Sequence, residues 1–242
     1  MNDTHRWDTE EFEKRTKELY RTEIHKLYPS EAWCLYRIIP DCRTVLDLGC
    51  GNGAMAKIIQ QISSTIEYTG VDHQEKLMNE AKELFPPATF HAADLMDFIS
   101  TCSHFDGVMS WSVIKSFQNW RELIGKMIFK AQKYVMFDIR VANVEKEIWD
   151  ENVCWADYSG RKGPIIVLNY SIFKEGIMGF SDRLEKMEIA AYQSGFGKYV
   201  HFSGKEPEQF ILSVVLKRKH GRALNQNQPC SIYEQLPGNL RR

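Results

Sequence analysis

Three glycines fall within five residues in VLDLGCGNGA, Val45 to Ala54, between an apolar β-rich run and a stretch with helical spacing. Glycine lets backbone N–H groups approach a ligand with no β-carbon in the way, and a helix starting just beyond the turn aims its unpaired N–H groups at the same ligand. Taken alone, Gly49-x-Gly51-x-x-Ala54 satisfies the dinucleotide pattern, and Asp72 follows near the distance expected of a carboxylate that grips two ribose hydroxyls. Asp47, two residues before the first glycine, separates the readings. A carboxylate is repelled by a pyrophosphate and attracted by an ammonium group. A third acid, Asp94, stands just before a helical stretch opening near Leu95, where it can serve a ligand or cap the helix.

The elements around these residues alternate. TVLDLG (Thr44 to Gly49), EYTGVD (Glu67 to Asp72), TFHAAD (Thr89 to Asp94), FDGVMSW (Phe105 to Trp111) and YVMFDI (Tyr134 to Ile139) read as strands. Helical spacing intervenes at Met55, Ile58, Ile59 and Ile62, at Leu77, Met78, Ala81 and Leu84, and at Leu123, Ile124, Met127 and Ile128. Strand alternating with helix implies an α/β, doubly wound, mostly parallel sheet. Upstream, Asp8 to Tyr28 predicts a helix stopped by Pro29, and Ala32 to Ile39 a second, so residues 1–43 form a helical N-terminal cap. Residues 141–179 read as an irregular insertion on the substrate side, with one apolar run, PIIVLNY. Ser181 to Gln193 predicts a helix, and the strands expected around Tyr199 to Phe202 and Phe210 to Leu216 an antiparallel hairpin. Residues 44–219 thus make the main domain, and 220–242 a polar C-terminal tail.

Composition sets outer bounds. The 242 residues carry 31 Lys+Arg against 32 Asp+Glu, so no global positive field gathers nucleic acid. No apolar stretch reaches the roughly 20 residues that cross a bilayer, and the polar opening does not read as a signal peptide, so a cytoplasmic chain is expected. The 6 cysteines include no Cys-x-x-Cys pair, and no metal is expected.

The ordered motifs resemble those of the class I S-adenosylmethionine-dependent methyltransferases, across roughly Val45 to Leu216. Asp47-Leu-Gly-Cys-Gly-Asn-Gly53 resembles that family's cofactor loop, Gly70-Val-Asp72 its ribose-binding acid, Ala93-Asp94 its adenine-contacting acid, and Phe105 to Ser110 its fourth strand. The resemblance implies S-adenosylmethionine as cofactor, held by Asp47, Gly49, Cys50, Gly51, Asn52, Gly53, Asp72, His73, Asp94, Leu95, Ser110 and Trp111. It also implies a seven-stranded sheet with an antiparallel C-terminal hairpin. His73 would neighbour the adenine edge, and Trp111 would be either core or an aromatic wall near the sulfonium.

Methyl transfer from a sulfonium is an in-line displacement whose leaving group needs no proton, so alignment supplies much of the catalysis and a general base is optional. Candidate acceptor-facing residues are Arg140, Asn169, Tyr170 and Tyr28, with Asp138 a candidate base or a buried hydrogen-bond acceptor. Ser110-Trp111-Ser112-Val113 departs from the Asn/Asp-Pro-Pro-Tyr signature of amino-group nucleic-acid methyltransferases and lacks the cysteine of cytosine-C5 enzymes. A small-molecule or saccharide-type acceptor is expected. The alternatives are a non-catalytic protein that binds the same cofactor, or an NAD-dependent oxidoreductase, which Asp47 opposes.

Overall fold

The computed structural model describes residues 21–158, 161–195, 199–219 and 229–240, together with residues 10 and 14. Its centre is an eight-stranded sheet: β1 (Thr44–Leu48), β2 (Glu67–Asp72), β3 (Thr89–Ala92), β4 (Phe105–Ser110), β5 (Ala131–Ala142), β8 (Leu184–Gln193), β10 (Gln209–Arg218) and β11 (Ser231–Gln235). A second sheet holds β6 (Cys154–Tyr158), β7 (Arg161–Pro164) and β9 (Val200–Phe202). The large sheet runs β11-β8-β10-β5-β4-β1-β2-β3. β10 is antiparallel to both its neighbours, β5 and β8, and the other pairings are parallel. The chain enters at β1, builds outward to β3, then crosses back to β4, so the order reverses between β1 and β4, where open α/β sheets leave a crevice for ligands.

Among the described residues, six α-helices cover the sheet: α1 (Pro29–Ile38), α2 (Ala54–Ile62), α3 (Glu75–Leu84), α4 (Leu95–Thr101), α5 (Trp120–Lys130) and α6 (Tyr170–Met178). Each buries one stripe. Leu35, Ile38, Ile58, Ile59, Leu77 and Met78 from α1, α2 and α3 pack with Val45, Tyr68, Met109 and Met136 on one sheet face. Ile99, Leu123, Ile124, Met127, Phe173 and Ile177 from α4, α5 and α6 pack with Leu46, Leu48, Val108 and Phe137 on the other. Because successive strand residues point to opposite faces, Asp47, Tyr68 and Asp138 lie on the α1 side, and α6 lies on the far side.

Several local readings change. Pro29 opens α1 rather than ending a helix, since proline's missing N–H is no loss at the first helical position. Arg21 to Tyr28 carries only a single 3-10 turn, Ile24–Lys26, and most of the helix expected from Asp8 lies outside the described residues. Ser181 to Gln193 is not a helix: a 3-10 turn, Ser181–Arg183, leads into β8. Leu184 and Met187 are both buried at a spacing of three because the register shifts between Lys217 and Arg218, so an irregular strand imitates a helical stripe. β8, rather than Tyr199 to Phe202, pairs with β10, while β9 joins the small sheet against β6.

The insertion is more regular than its composition suggests. β6 and β7 form a hairpin, and Ile165 to Leu168 run buried beneath it, bridging Val141 to Leu168 and Ile148 to Val167. The tail adds an eighth strand, β11, parallel to β8. The Tyr170 hydroxyl donates to Glu234, and the Lys174 ammonium lies 2.7 Å from the same carboxylate.

Candidate cofactor and acceptor site

β1 ends in the crevice, and the glycine turn starts there. Gly49 and Cys50 donate their N–H groups to the Val71 carbonyl at 2.8 and 3.1 Å, which bends the chain over the end of β2. Gly49, Gly51 and Gly53 have φ of 77°, 55° and 74°, the left-handed region that L side chains rarely adopt. A β-carbon on Gly49 would stand 2.3 Å from Val113 Cγ2, and one on Gly53 2.6 Å from Phe90 Cε1, so these two glycines are also demanded by packing. Asn52 Oδ1 accepts from Ala54 N at 3.2 Å and closes the turn onto α2.

Two acids, Asp47 and Asp72, flank this turn, and a third, Asp94, follows β3. Asp72, 8% exposed at the end of β2, accepts from Gly51 N through Oδ2 and from Gln74 N through Oδ1, both at 3.1 Å, and His73 Nδ1 lies 3.3 Å from Oδ1. Each carboxylate oxygen has lone-pair capacity for a further hydroxyl. Asp47 is buried on β1 and accepts a 2.6 Å hydrogen bond from the Tyr68 hydroxyl. Burial pushes its carboxyl up to about 7; the Tyr68 hydrogen bond opposes the rise, and the charges of Asp72 and Glu31 add to it. Asp94 caps α4, accepting from Met96 N and Asp97 N through Oδ1 at 2.8 and 3.1 Å.

The remaining sequence-derived cofactor positions divide. Cys50 is a partly buried thiol 3.7 Å from Met78 Sδ, its ionisation held well above the usual range by desolvation. Leu95 belongs to the core on the α4 side. Ser110 donates to the Leu48 carbonyl at 3.0 Å and ties β4 to the end of β1. Trp111 packs partly buried on the α1 face, and its indole N–H is buried without a hydrogen-bond partner.

Beyond β4 the same face continues as polar rows set by register. Asp47, Met109, Met136 and Val215 lie across from one another on β1, β4, β5 and β10. One step toward the C-terminal edge, Trp111 comes level with Asp138, which pairs with Ser213, a buried hydroxyl also without a partner. The next row holds Arg140, Ile211 and Tyr192. α1 covers β10 and β5 here. Burial raises the Tyr192 phenol above its usual range, and the Ser30 side chain on α1 opposes the rise. Arg140 reaches the Gly195 carbonyl at 3.5 Å.

The structure brings Asp138 and Arg140 to adjacent rows on this face and Tyr28 to the start of α1, where the Arg21 guanidinium stacks 4.1 Å over its ring and bridges to Glu31 at 2.7 Å. Asn169 and Tyr170 are not brought there. Asn169 caps α6, accepting from Ile172 N at 2.8 Å and donating to the Val144 carbonyl at 3.1 Å, and Tyr170 is spent on β11, on the far side of the sheet. Sequence reasoning missed Tyr68, Ser112, Tyr192 and Ser213. Tyr192 lay in a segment read as helix, and only strand register brings Ser213 beside Asp138. Among the described residues no three His, Cys, Asp or Glu side chains gather as a metal site, and no helix is long and apolar enough to cross a membrane.

The sheet order, with the glycine turn at its reversal point, is the architecture of solved methyltransferases, and part of the chain matches a methyltransferase family. Residues 45–130 match the family described as "Methyltransferase domain". Trans-aconitate 2-methyltransferase of Variovorax paradoxus is 30% identical over 78 residues, a match covering 32% of this chain and only 30% of that protein's length. The N-terminal domain of EvdMO1, solved with S-adenosylhomocysteine and D-fucose, has a TM-score of 0.60 at 13% identity, covering 88% of this chain and 97% of that one. The plantazolicin methyltransferase BpumL, solved with S-adenosylhomocysteine, has a TM-score of 0.56 at 16% identity, covering 89% of this chain and 94% of the other.

Proposed function

We propose that this chain transfers the methyl group of S-adenosylmethionine to a small-molecule or saccharide-type acceptor. The observation that carries the reading is the left-handed glycine turn with Asp47 and Asp72 beside it at the reversal point of the sheet. Bound S-adenosylmethionine supplies an electrophilic methyl on a sulfonium that departs without a proton. Asp72 would accept from the ribose hydroxyls, Asp94 would meet the adenine edge, and Asp47 would face the ammonium group. Gly51, at φ 55°, would let the backbone pass close to the cofactor.

The acceptor would lie on the α1 face, against Trp111, Asp138, Arg140 and Tyr192, with the N-terminal cap (1–43) and the insertion (141–179) excluding water above it. The packing of α1 over β10 and β5 supports this arrangement. Aligning an acceptor oxygen or nitrogen with the methyl carbon is the work left to the protein. The small-molecule acceptor named for the Variovorax relative and the sugar in the EvdMO1 structure support a compact polar acceptor.

Calorimetric titration with S-adenosylhomocysteine and with NAD tests the reading. Micromolar binding of the first with no heat from NAD is expected, and the reverse result overturns it. Asp72→Ala should weaken binding by roughly 1.5–3 kcal/mol through lost charge-assisted hydrogen bonds. An unchanged affinity in the folded variant would remove Asp72 from the site.

A further inference from the structure

The turn that follows β4 is held in a conformation its sequence does not favour. Ser112 has φ 58°, the only left-handed residue other than glycine among the described residues. A β-carbon crowds its own backbone there, so the conformation persists only where surrounding contacts impose it. Two contacts do so. The Ser112 N–H donates to Asp138 Oδ1 on β5, and its carbonyl accepts from Lys115 Nζ at 2.6 Å.

The residues flanking Ser112 point toward the site from both sides. Val113 packs on the glycine turn so closely that its Cγ2 lies 2.3 Å from where a Gly49 β-carbon would stand. Trp111 carries the buried, unpartnered indole N–H on the α1 face. A backbone flip at Ser112 would therefore move a wall of the glycine turn and the indole together.

We propose that Asp138 is a positioning residue, not a general base: its carboxylate clamps the strained Ser112 turn, and so holds Val113 against the cofactor loop and Trp111 at the acceptor side. This rests on the methyltransferase reading above. A proton-accepting role would leave the left-handed serine without a cause, whereas the clamp accounts for both. The clamp needs an oxygen that accepts one N–H, which an amide supplies as well as a carboxylate.

The test is S-adenosylhomocysteine affinity by calorimetry at 20 °C, far below unfolding, for wild type, Asp138→Ala, Asp138→Asn and the double variant Asp138→Ala/Ser112→Gly. Asp138→Ala should bind about tenfold more weakly once the turn relaxes. Asp138→Asn should stay within about twofold, because its amide oxygen still accepts from Ser112. Glycine at 112 adopts the left-handed region without strain, so the double variant should recover to within about threefold of wild type. Wild-type affinity in Asp138→Ala, or a double variant as weak as the single one, overturns the proposal. The melting temperature gives a second readout: it should fall in Asp138→Ala and recover with Ser112→Gly. If wild type binds no S-adenosylhomocysteine but the melting temperatures behave as stated, the methyltransferase reading fails and the clamp itself stands.

Discussion

The two ends of the central sheet solve different problems. On the β1–β2–β3 side, the groups around the cofactor turn come from one loop, residues 49–53, and from acids at the strand ends, Asp47, Asp72 and Asp94. On the β4–β5–β10–β8 side, Trp111 just beyond β4, Asp138 and Ser213 in one row and Tyr192 in the next come from four separate segments, with α1 packed over β10 and β5. The first side works largely with backbone, through glycine φ values and N–H groups, and so needs short contiguous segments. The second works with side chains placed by register, and a one-residue slip of β10 would turn Ser213 to the opposite face.

The sharpest way to break this contrast is Gly51→Val. A branched side chain at φ 55° distorts the turn where the cofactor would pass, and S-adenosylhomocysteine affinity should fall at least about 100-fold in a protein that still melts cooperatively. Retained affinity measured by calorimetry would show that the loop does not contact the cofactor.

Asp47→Asn comes next, read through pH. The folded carboxyl titrates near 7, above its ordinary value, chiefly because it is buried. A raised carboxyl pKa adds stability that is full below the unfolded value, near 4, and is lost as pH rises through about 7. Wild type without cofactor should thus lose about 5 °C of melting temperature relative to Asp47→Asn between pH 5 and pH 8. Cofactor affinity should move the other way, rising toward pH 8 as the ionised Asp47 meets an ammonium group, and Asp47→Asn should flatten that rise. A pH profile identical in both proteins would place Asp47 outside the binding equilibrium.

Smaller effects are expected on the other side. Tyr192→Phe removes the hydroxyl proposed to face the acceptor and should lower turnover of an identified acceptor about five- to tenfold, with S-adenosylhomocysteine affinity unchanged. Equal loss of both would erase the division between the two sides. Smallest is Tyr170→Phe, which gives up the bond to Glu234 and should cost about 1 kcal/mol in denaturant unfolding while leaving cofactor affinity untouched.

What could be read from the sequence follows the same division. β1 and its glycine turn were legible because both sheet faces are buried there, giving a compact apolar run that breaks into glycine. β8 was not, since its bulge spaces Leu184 and Met187 like a helix. β11 was missed because its side chains are mostly exposed and carry no apolar alternation. Asn169 and Tyr170 attracted notice as polar residues beside an apolar run, yet their groups serve a helix cap and a strand anchor. Asp138 stands out as an acid in a strand, but nothing in its neighbours' identities announces a left-handed Ser112 26 residues earlier, on the far side of α5 in sequence.

The added strand β11 has a kinetic consequence for the outer margin of the sheet. It pairs with β8 from Lys186 to Ala190 and stops there, leaving Ala191 to Gln193 held only through β10. Amide hydrogens in the doubly flanked part of β8 should exchange slowly, near the rate of global opening, while those at its last turn of residues open in smaller local fluctuations. The gradient ends beside Tyr192, so the breathing part of that strand is its C-terminal end, level with Arg140 across β10, and the core beneath it need not open with it.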